Sequence, residues 1–267
     1  MIIVLLLGLT VGVILALTGA GGGILAVPLL VFGAGLSMAE AGPIGLLAVG
    51  LAATLGAVMG LKNGTVRYKA ALLVAGAGIV CSPLGLWLAQ RTPNRPLTIM
   101  FAFVLMYVAF RVYQRSLAPS RESKPPVTSK PPPCLLDVDR GKLNWTGPCA
   151  WALAVSGIVA GGLSGLLGVG GGFVMVPALQ RYTNLTAQSV LATSLAVIAL
   201  VSISGVAASS AAGHLQWAVA IPFSIGALAG MICGRLVAAK LSGPNLQKGF
   251  ALVSAGVAVA LLVKAIQ

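Results

Sequence analysis

The chain has 267 residues, 58% of them apolar, together with 35 glycines and only 8% charged residues. Ordinary soluble domains carry about 25% charged residues, so this chain cannot cover a water-exposed surface, and a soluble globule is excluded. The lack of polar bias excludes disorder, and the absence of a three-residue glycine period excludes collagen. What remains is an all-α, polytopic helical membrane protein. The net charge of +13 comes from 17 Lys and Arg against four carboxylates. The basic residues sit between apolar runs, as in the cytoplasmic loops of membrane proteins. No basic helix face or set of base-stacking aromatics accompanies them, so nucleic acid is not an expected partner.

The first apolar run, Ile2 to Leu17, lacks a basic leader and a cleavage pattern, which predicts a retained membrane helix. Thr18 and the cluster Gly19-Ala-Gly-Gly-Gly23 follow, then a short apolar stretch from Ile24 to Phe32 that contains Pro28. That stretch is too short to span about 30 Å alone. Longer runs follow at 38–61, 70–90 and 97–113. Residues 115–146 are rich in Pro and in Lys and Arg, and hold three of the four carboxylates. This composition predicts a water-exposed, poorly ordered linker. The order then recurs: a run at 147–166, a glycine cluster, a short stretch, and runs at 184–210, 217–239 and 246–265.

A shift of 149 residues places Gly19-Ala-Gly-Gly-Gly23 on Gly168-Val-Gly-Gly-Gly172 and Val27-Pro28 on Val176-Pro177. It also matches Leu46 to Leu195, Gly56 to Gly205 and Gly85 to Gly234 without a gap. Two membrane repeats are therefore expected, at 1–114 and 147–267, joined by the linker 115–146. Each repeat holds four to five helices, with a broken half-helix after its glycine-rich loop. Loop 62–69 carries Lys62, Arg67 and Lys69, whereas its repeat partner 211–218 carries no Lys or Arg. This asymmetry predicts inverted halves and a cytoplasmic linker. Arg91 and Arg95 then fall on the outer side, against the same rule.

Gly226, Gly230 and Gly234 share one helix face and predict close approach of another backbone. Arg111 and Arg235, near helix ends, are expected to snorkel to the interface. The four cysteines form no Cys-x-x-Cys pair, and the chain has a single histidine. They are read as small apolar filler, with no metal or cofactor expected.

Glycine runs end helices and permit positive φ. At membrane depth, irregular backbone survives only inside protein or beside a wet cavity. Free N–H groups opening the next helix attract anions. The expected substrate site therefore comprises Gly19, Gly21, Gly22, Gly23, Gly168, Gly170, Gly171 and Gly172, with the hydroxyls of Thr18, Ser164, Thr193 and Ser194. Pro28 and Pro177 are read as helix-break residues. A dinucleotide reading fails, because Ile24 and Phe173 stand where the last glycine belongs and no strand precedes either cluster. Ser37-Met-Ala-Glu40 reads as a capping box, while Glu40, the one carboxylate outside the linker, is also a candidate for proton coupling. His214 is a loop histidine that could titrate at a gate. No catalytic constellation lies in the membrane runs.

The duplicated Gly-x-Gly-Gly-Gly-x-x-x-Val-Pro element resembles the sulfite exporter TauE/SafE family of membrane transporters. Ala192-Thr193-Ser194-Leu195 and Gly213-His-Leu-Gln-Trp217 share the resemblance, which extends from about residue 5 to 265 apart from the linker. It implies transport of small sulfur-containing anions, such as sulfite or organosulfonates, across the bacterial inner membrane. The first half departs from the pattern at Ile44-Gly45, where Thr-Ser would be expected, so hydroxyl contact there is one-sided. The expected function is a secondary transporter, exporting its substrate by alternating access. The alternatives are a non-transporting accessory subunit and a passive anion channel. Expected partners are the small anion, the lipid bilayer and a second copy of the chain in a homodimer.

Overall fold

The computed structural model describes residues 1–19, 21–117, 134, 136–137, 142–143, 146–213, 215–241 and 244–266. The described residues form ten helices: α1 (Ile2–Thr18), α2 (Gly21–Gly33), α3 (Met38–Lys62), α4 (Tyr68–Arg91), α5 (Asn94–Leu117), α6 (Gly147–Leu167), α7 (Gly172–Tyr182), α8 (Ala187–Ala211), α9 (Trp217–Leu241) and α10 (Pro244–Ile266). Among the described residues, α3, α4, α5, α6, α8 and α9 are long and apolar enough to cross a membrane. Large apolar side chains such as Leu72, Val80, Phe103 and Leu236 are exposed on the outer faces, as lipid contact requires. The protein is a polytopic helical membrane protein.

Two helical hairpins organise the fold. α1 ends at Gly19, whose φ of 72° is left-handed, and its N–H bonds the Leu15 carbonyl. α2 then runs back along α1, with Gly22 against Leu15 and Gly33 against Leu7. α6 ends in the same way at Gly168, φ 71°. α7 starts beside Ala160, midway along α6, and returns toward the start of α6. At that end Cys134 joins the two helices: its N–H bonds the Tyr182 carbonyl at 3.1 Å, and its sulfur is bonded to Cys149. α1 and α2 fold back on each other, and before the linker α3, α4 and α5 are the helices long and apolar enough to cross a membrane among the described residues.

Glycine governs which helices touch. Gly8 and Gly12 of α1 lie on the Phe223 and Ala227 carbonyls of α9, and Gly226, Gly230 and Gly234 lie on the α1 backbone, as their spacing predicted. α4 and α6 meet in the same manner through Gly157, Gly161 and Gly165 on one side and Gly78 and Gly85 on the other. Without a hydrophobic drive between helices in lipid, such backbone approach supplies the packing. α3 and α8 cross at the centre, and α5 packs on α10.

Three expectations need correction. The cysteines are not all filler, since Cys134 and Cys149 form a disulfide while Cys81 and Cys233 are free. Within the linker the described residues include a two-stranded antiparallel ladder, β1 (Leu136–Asp137) with β2 (Lys142–Leu143), and α5 runs to Leu117. Pro28 and Pro177 do not break helices, because α2 and α7 run through them. Each proline only removes the donor for the carbonyl four residues earlier, and the interruptions fall at the glycines. Arg235 does not simply snorkel: it is half-buried, and its guanidinium donates to the Gly56 carbonyl at 3.1 Å.

Candidate functional site

The two glycine interruptions meet inside the helix bundle. Gly23 packs on the Val169 carbonyl, and α2 touches α7. Gly168 lies against Gly42 and Gly45 of α3. Gly19 faces Leu191 of α8. Gly22, Gly23 and Gly168 to Gly172 are all buried.

The second interruption is the more elaborate. Gly168, Gly170 and Gly171 have φ of 71°, 79° and 68°, where an L side chain is strained. Gly171 is the N-cap of α7 and contributes no side chain to it. The first N–H groups of a helix have no partner within it, and they carry the positive end of its dipole. Gly170 lies beside Ile198 and close to the Ser202 hydroxyl. Ser164 precedes the interruption and gives its carbonyl to the Gly168 N–H at 2.8 Å.

The predicted hydroxyls divide into two groups. Ser164 is fully buried and its Oγ has no hydrogen-bond partner. Thr18 Oγ1 instead donates to the Ile14 carbonyl of its own helix at 2.7 Å. Ser194 Oγ donates to the Leu191 carbonyl at 2.8 Å. Thr193 Oγ1 accepts from the Arg67 N–H at 3.1 Å. Thr193 therefore fastens the loop between α3 and α4 to α8, and it stands more than one turn from Ser202 and the second interruption. Sequence reasoning missed Ser82 and Ser202, both buried and both without a hydrogen-bond partner. Their only sequence signal is a serine inside a membrane run, which ordinarily bonds its own helix backbone.

Glu40 forms the predicted capping box. Its carboxylate accepts from the Ser37 N–H at 3.0 Å and from the Ser37 hydroxyl at 2.7 Å, while Ser37 Oγ accepts from the Glu40 N–H. The other carboxylate oxygen accepts from Gln216 at 2.9 Å, tying the start of α3 to the loop before α9. Thr186 caps α8 at the repeat-related position. His214 lies outside the described residues.

Two cavities flank this centre. One of about 230 Å³, almost wholly apolar, lies beside the first interruption between Leu17, Thr18, Leu25, Phe250 and Val253. A smaller one of about 80 Å³ lies at the end of the bundle holding the start of α5, lined partly by Asn94, Arg95, Thr98 and Lys264.

The chain matches the profile of the family described as "Sulfite exporter TauE/SafE" over residues 4–261. It is 27% identical over 261 residues to a "Probable membrane transporter protein" of Xylella fastidiosa strain Temecula1, covering 93% of this chain and 90% of the relative. It is 25% identical over 249 residues to the "Probable membrane transporter protein YunE" of Bacillus subtilis, covering 90% of this chain and 89% of the relative. No solved structure matches. Glycine-broken hairpins in an apolar bundle, matched over nearly the full length, make this chain a member of the TauE/SafE family of membrane transporters and not an enzyme.

Proposed function

We infer that the protein is a secondary transporter of a small sulfur-containing anion, sulfite or an organosulfonate, exported across the bacterial inner membrane. The observation that carries this reading is the meeting of the two glycine interruptions inside the bundle, with the uncapped start of α7 between them. Backbone N–H groups at helix starts hold anions without a fixed cation, and broken helices at the interface of two repeats are the usual place for a carrier's site. The substrate site lies where the segment Gly19, Gly21, Gly22 and Gly23 meets the segment Gly168, Gly170, Gly171 and Gly172.

A two-fold repeat is supported by the exchange of helix partners under the 149-residue shift, and its inversion by the charge difference between loops 62–69 and 211–218. α1 packs on α9 while its counterpart α6 packs on α4, the counterpart of α9; α3 packs on α8 and α5 on α10. Alternating access then follows from one half rocking against the other. Arg235, bonded to α3 within the bundle, supplies a cation on the route from the basic face. Glu40 acts as a cap, not as the coupling group, since both its oxygens are already engaged.

The linker faces the cytoplasm in this reading. By position in the chain, all but Arg91, Arg95 and Lys264 of the 17 Lys and Arg fall toward the linker's face, and charge bias sets orientation. Disulfides persist mainly in oxidising compartments, so the Cys134–Cys149 pair is expected to be dithiol in growing cells and to close under oxidant. A homodimer is compatible with this arrangement.

Counterflow in proteoliposomes tests the function. The expected result is saturable exchange of radiolabelled sulfite, competed by organosulfonates and not by chloride. No exchange of any anion would favour an accessory subunit, and unsaturable flux would favour a channel; either result contradicts the reading.

A further inference from the structure

Five serine hydroxyls in the described residues are buried and lack a hydrogen-bond partner: Ser82, Ser164, Ser202, Ser224 and Ser254. A buried hydroxyl left unpaired costs about 1–3 kcal/mol, and membrane helices normally avoid this by bonding the hydroxyl to their own backbone. Several other serines here do so, including Ser156, Ser194 and Ser209.

Three of the five lie on helices that adjoin the second interruption. Ser164 stands one turn before it on α6, its carbonyl bonded to the Gly168 N–H. Ser202 of α8 lies beside Gly170, its Oγ about a van der Waals contact from where a Cβ of Gly170 would stand. Ser82 of α4 packs its carbonyl on Gly165, and its hydroxyl faces Gly205, one turn beyond Ser202. The three share the junction of α4, α6 and α8. The repeat-related positions at the first interruption are Met231, Leu15 and Ala53, none of which can donate.

We propose that the substrate's oxygens are held at the second interruption alone, by the α7 N-terminal amides of residues 170–172 together with the hydroxyls of Ser82, Ser164 and Ser202, and that this site takes a monoanion. The charge preference follows from what surrounds it. The described residues nearest the left-handed glycines of the break are Gly42, Val49, Ala160, Ile198 and Ser202, and none of these is charged. Desolvation cost grows with the square of the charge, and a buried dianion without a paired cation is severely penalised. Amide and hydroxyl donors without a paired cation favour a sulfonate or bisulfite over sulfate or fully ionised sulfite. This inference rests on the transporter reading above and names its contacts.

Calorimetric titration of the purified full chain with methanesulfonate, sulfite and sulfate tests it. The wild type is expected to bind methanesulfonate with an affinity independent of pH near neutrality. Sulfite should bind less tightly as rising pH removes its last proton, and sulfate weakest. Each of Ser82→Ala, Ser164→Ala and Ser202→Ala should weaken methanesulfonate binding about tenfold, the loss of one hydrogen bond to a charged group. The same variants should melt no lower than wild type without ligand, because each removes an unpaired hydroxyl. A merely structural role would lower the melting temperature and leave Kd unchanged. Ser224→Ala, on α9, serves as the control and should alter neither. Normal sulfite counterflow with unchanged Kd in all three serine variants would overturn this inference and leave the transporter reading intact. Absence of both binding and counterflow in the wild type would overturn both.

Discussion

The two glycine interruptions share a sequence motif and differ in what surrounds them. Around the first, the repeat-related side chains are Leu15, Ala53 and Met231, and the adjoining cavity is apolar. Around the second stand three unpaired hydroxyls, three left-handed glycines and an uncapped helix start. In the proposal above, the shared glycine motif serves backbone geometry at both interruptions, while the substrate chemistry is concentrated at the second. The lesson is that glycine in such a motif reports backbone packing, and the side chains facing it report the ligand.

The sharpest way to break the comparison is through the packing glycines, which should behave alike in both halves. Gly12→Leu would drive a side chain into the Ala227 carbonyl, and Gly165→Leu into the Ser82 carbonyl. Both should abolish a monodisperse peak in detergent size-exclusion chromatography, since helix association in lipid depends on backbone approach. Gly162→Ala, which meets open space, should leave the peak intact. The same reasoning applies at the interruptions: a side chain at Gly22 meets the Leu15 backbone, and one at Gly171 meets the Ala160 carbonyl. Substitution there tests folding before it tests substrate binding.

A smaller effect should separate the halves by charge. Arg235→Met is expected to slow sulfite counterflow by about tenfold, by removing a cation that draws anions inward, with Arg235→Lys retaining part of the rate. Equal rates for all three proteins would remove Arg235 from the path.

The smallest effect concerns the caps. Ser37→Ala should lower stability by about 1 kcal/mol, read as a downward shift in thermal unfolding. Thr186→Ala should cost less, because the first cap is reciprocal, with Glu40 bonding back to Ser37, and the second is not.

Much of this was legible before the fold. Apolar run lengths gave the helices, the spacing of Gly226, Gly230 and Gly234 gave a helix contact, and Ser37 with Glu40 gave a cap, because each is a local pattern with a local cause. The family followed from the repeated glycine motif. Less was legible where distant segments decide the outcome. Thr193 and Ser194 looked available for substrate, yet their hydroxyls are engaged by the Arg67 amide and the Leu191 carbonyl. Ser82 and Ser202 carry no sequence signal beyond a serine inside a membrane run, and only the folded bundle shows their hydroxyls buried without a partner. Cys134 and Cys149 lie 15 residues apart with no motif between them, and they pair because α7 returns to the start of α6.

Selenite, sulfite's heavier relative, offers a direct test of where the anion sits. In an experimental structure determined with selenite, anomalous scattering should give a single peak at the start of α7, within hydrogen-bond reach of the residue 170–172 amides and Ser202. A peak at the first interruption or between Arg95 and Lys264, with none at α7, would contradict this account.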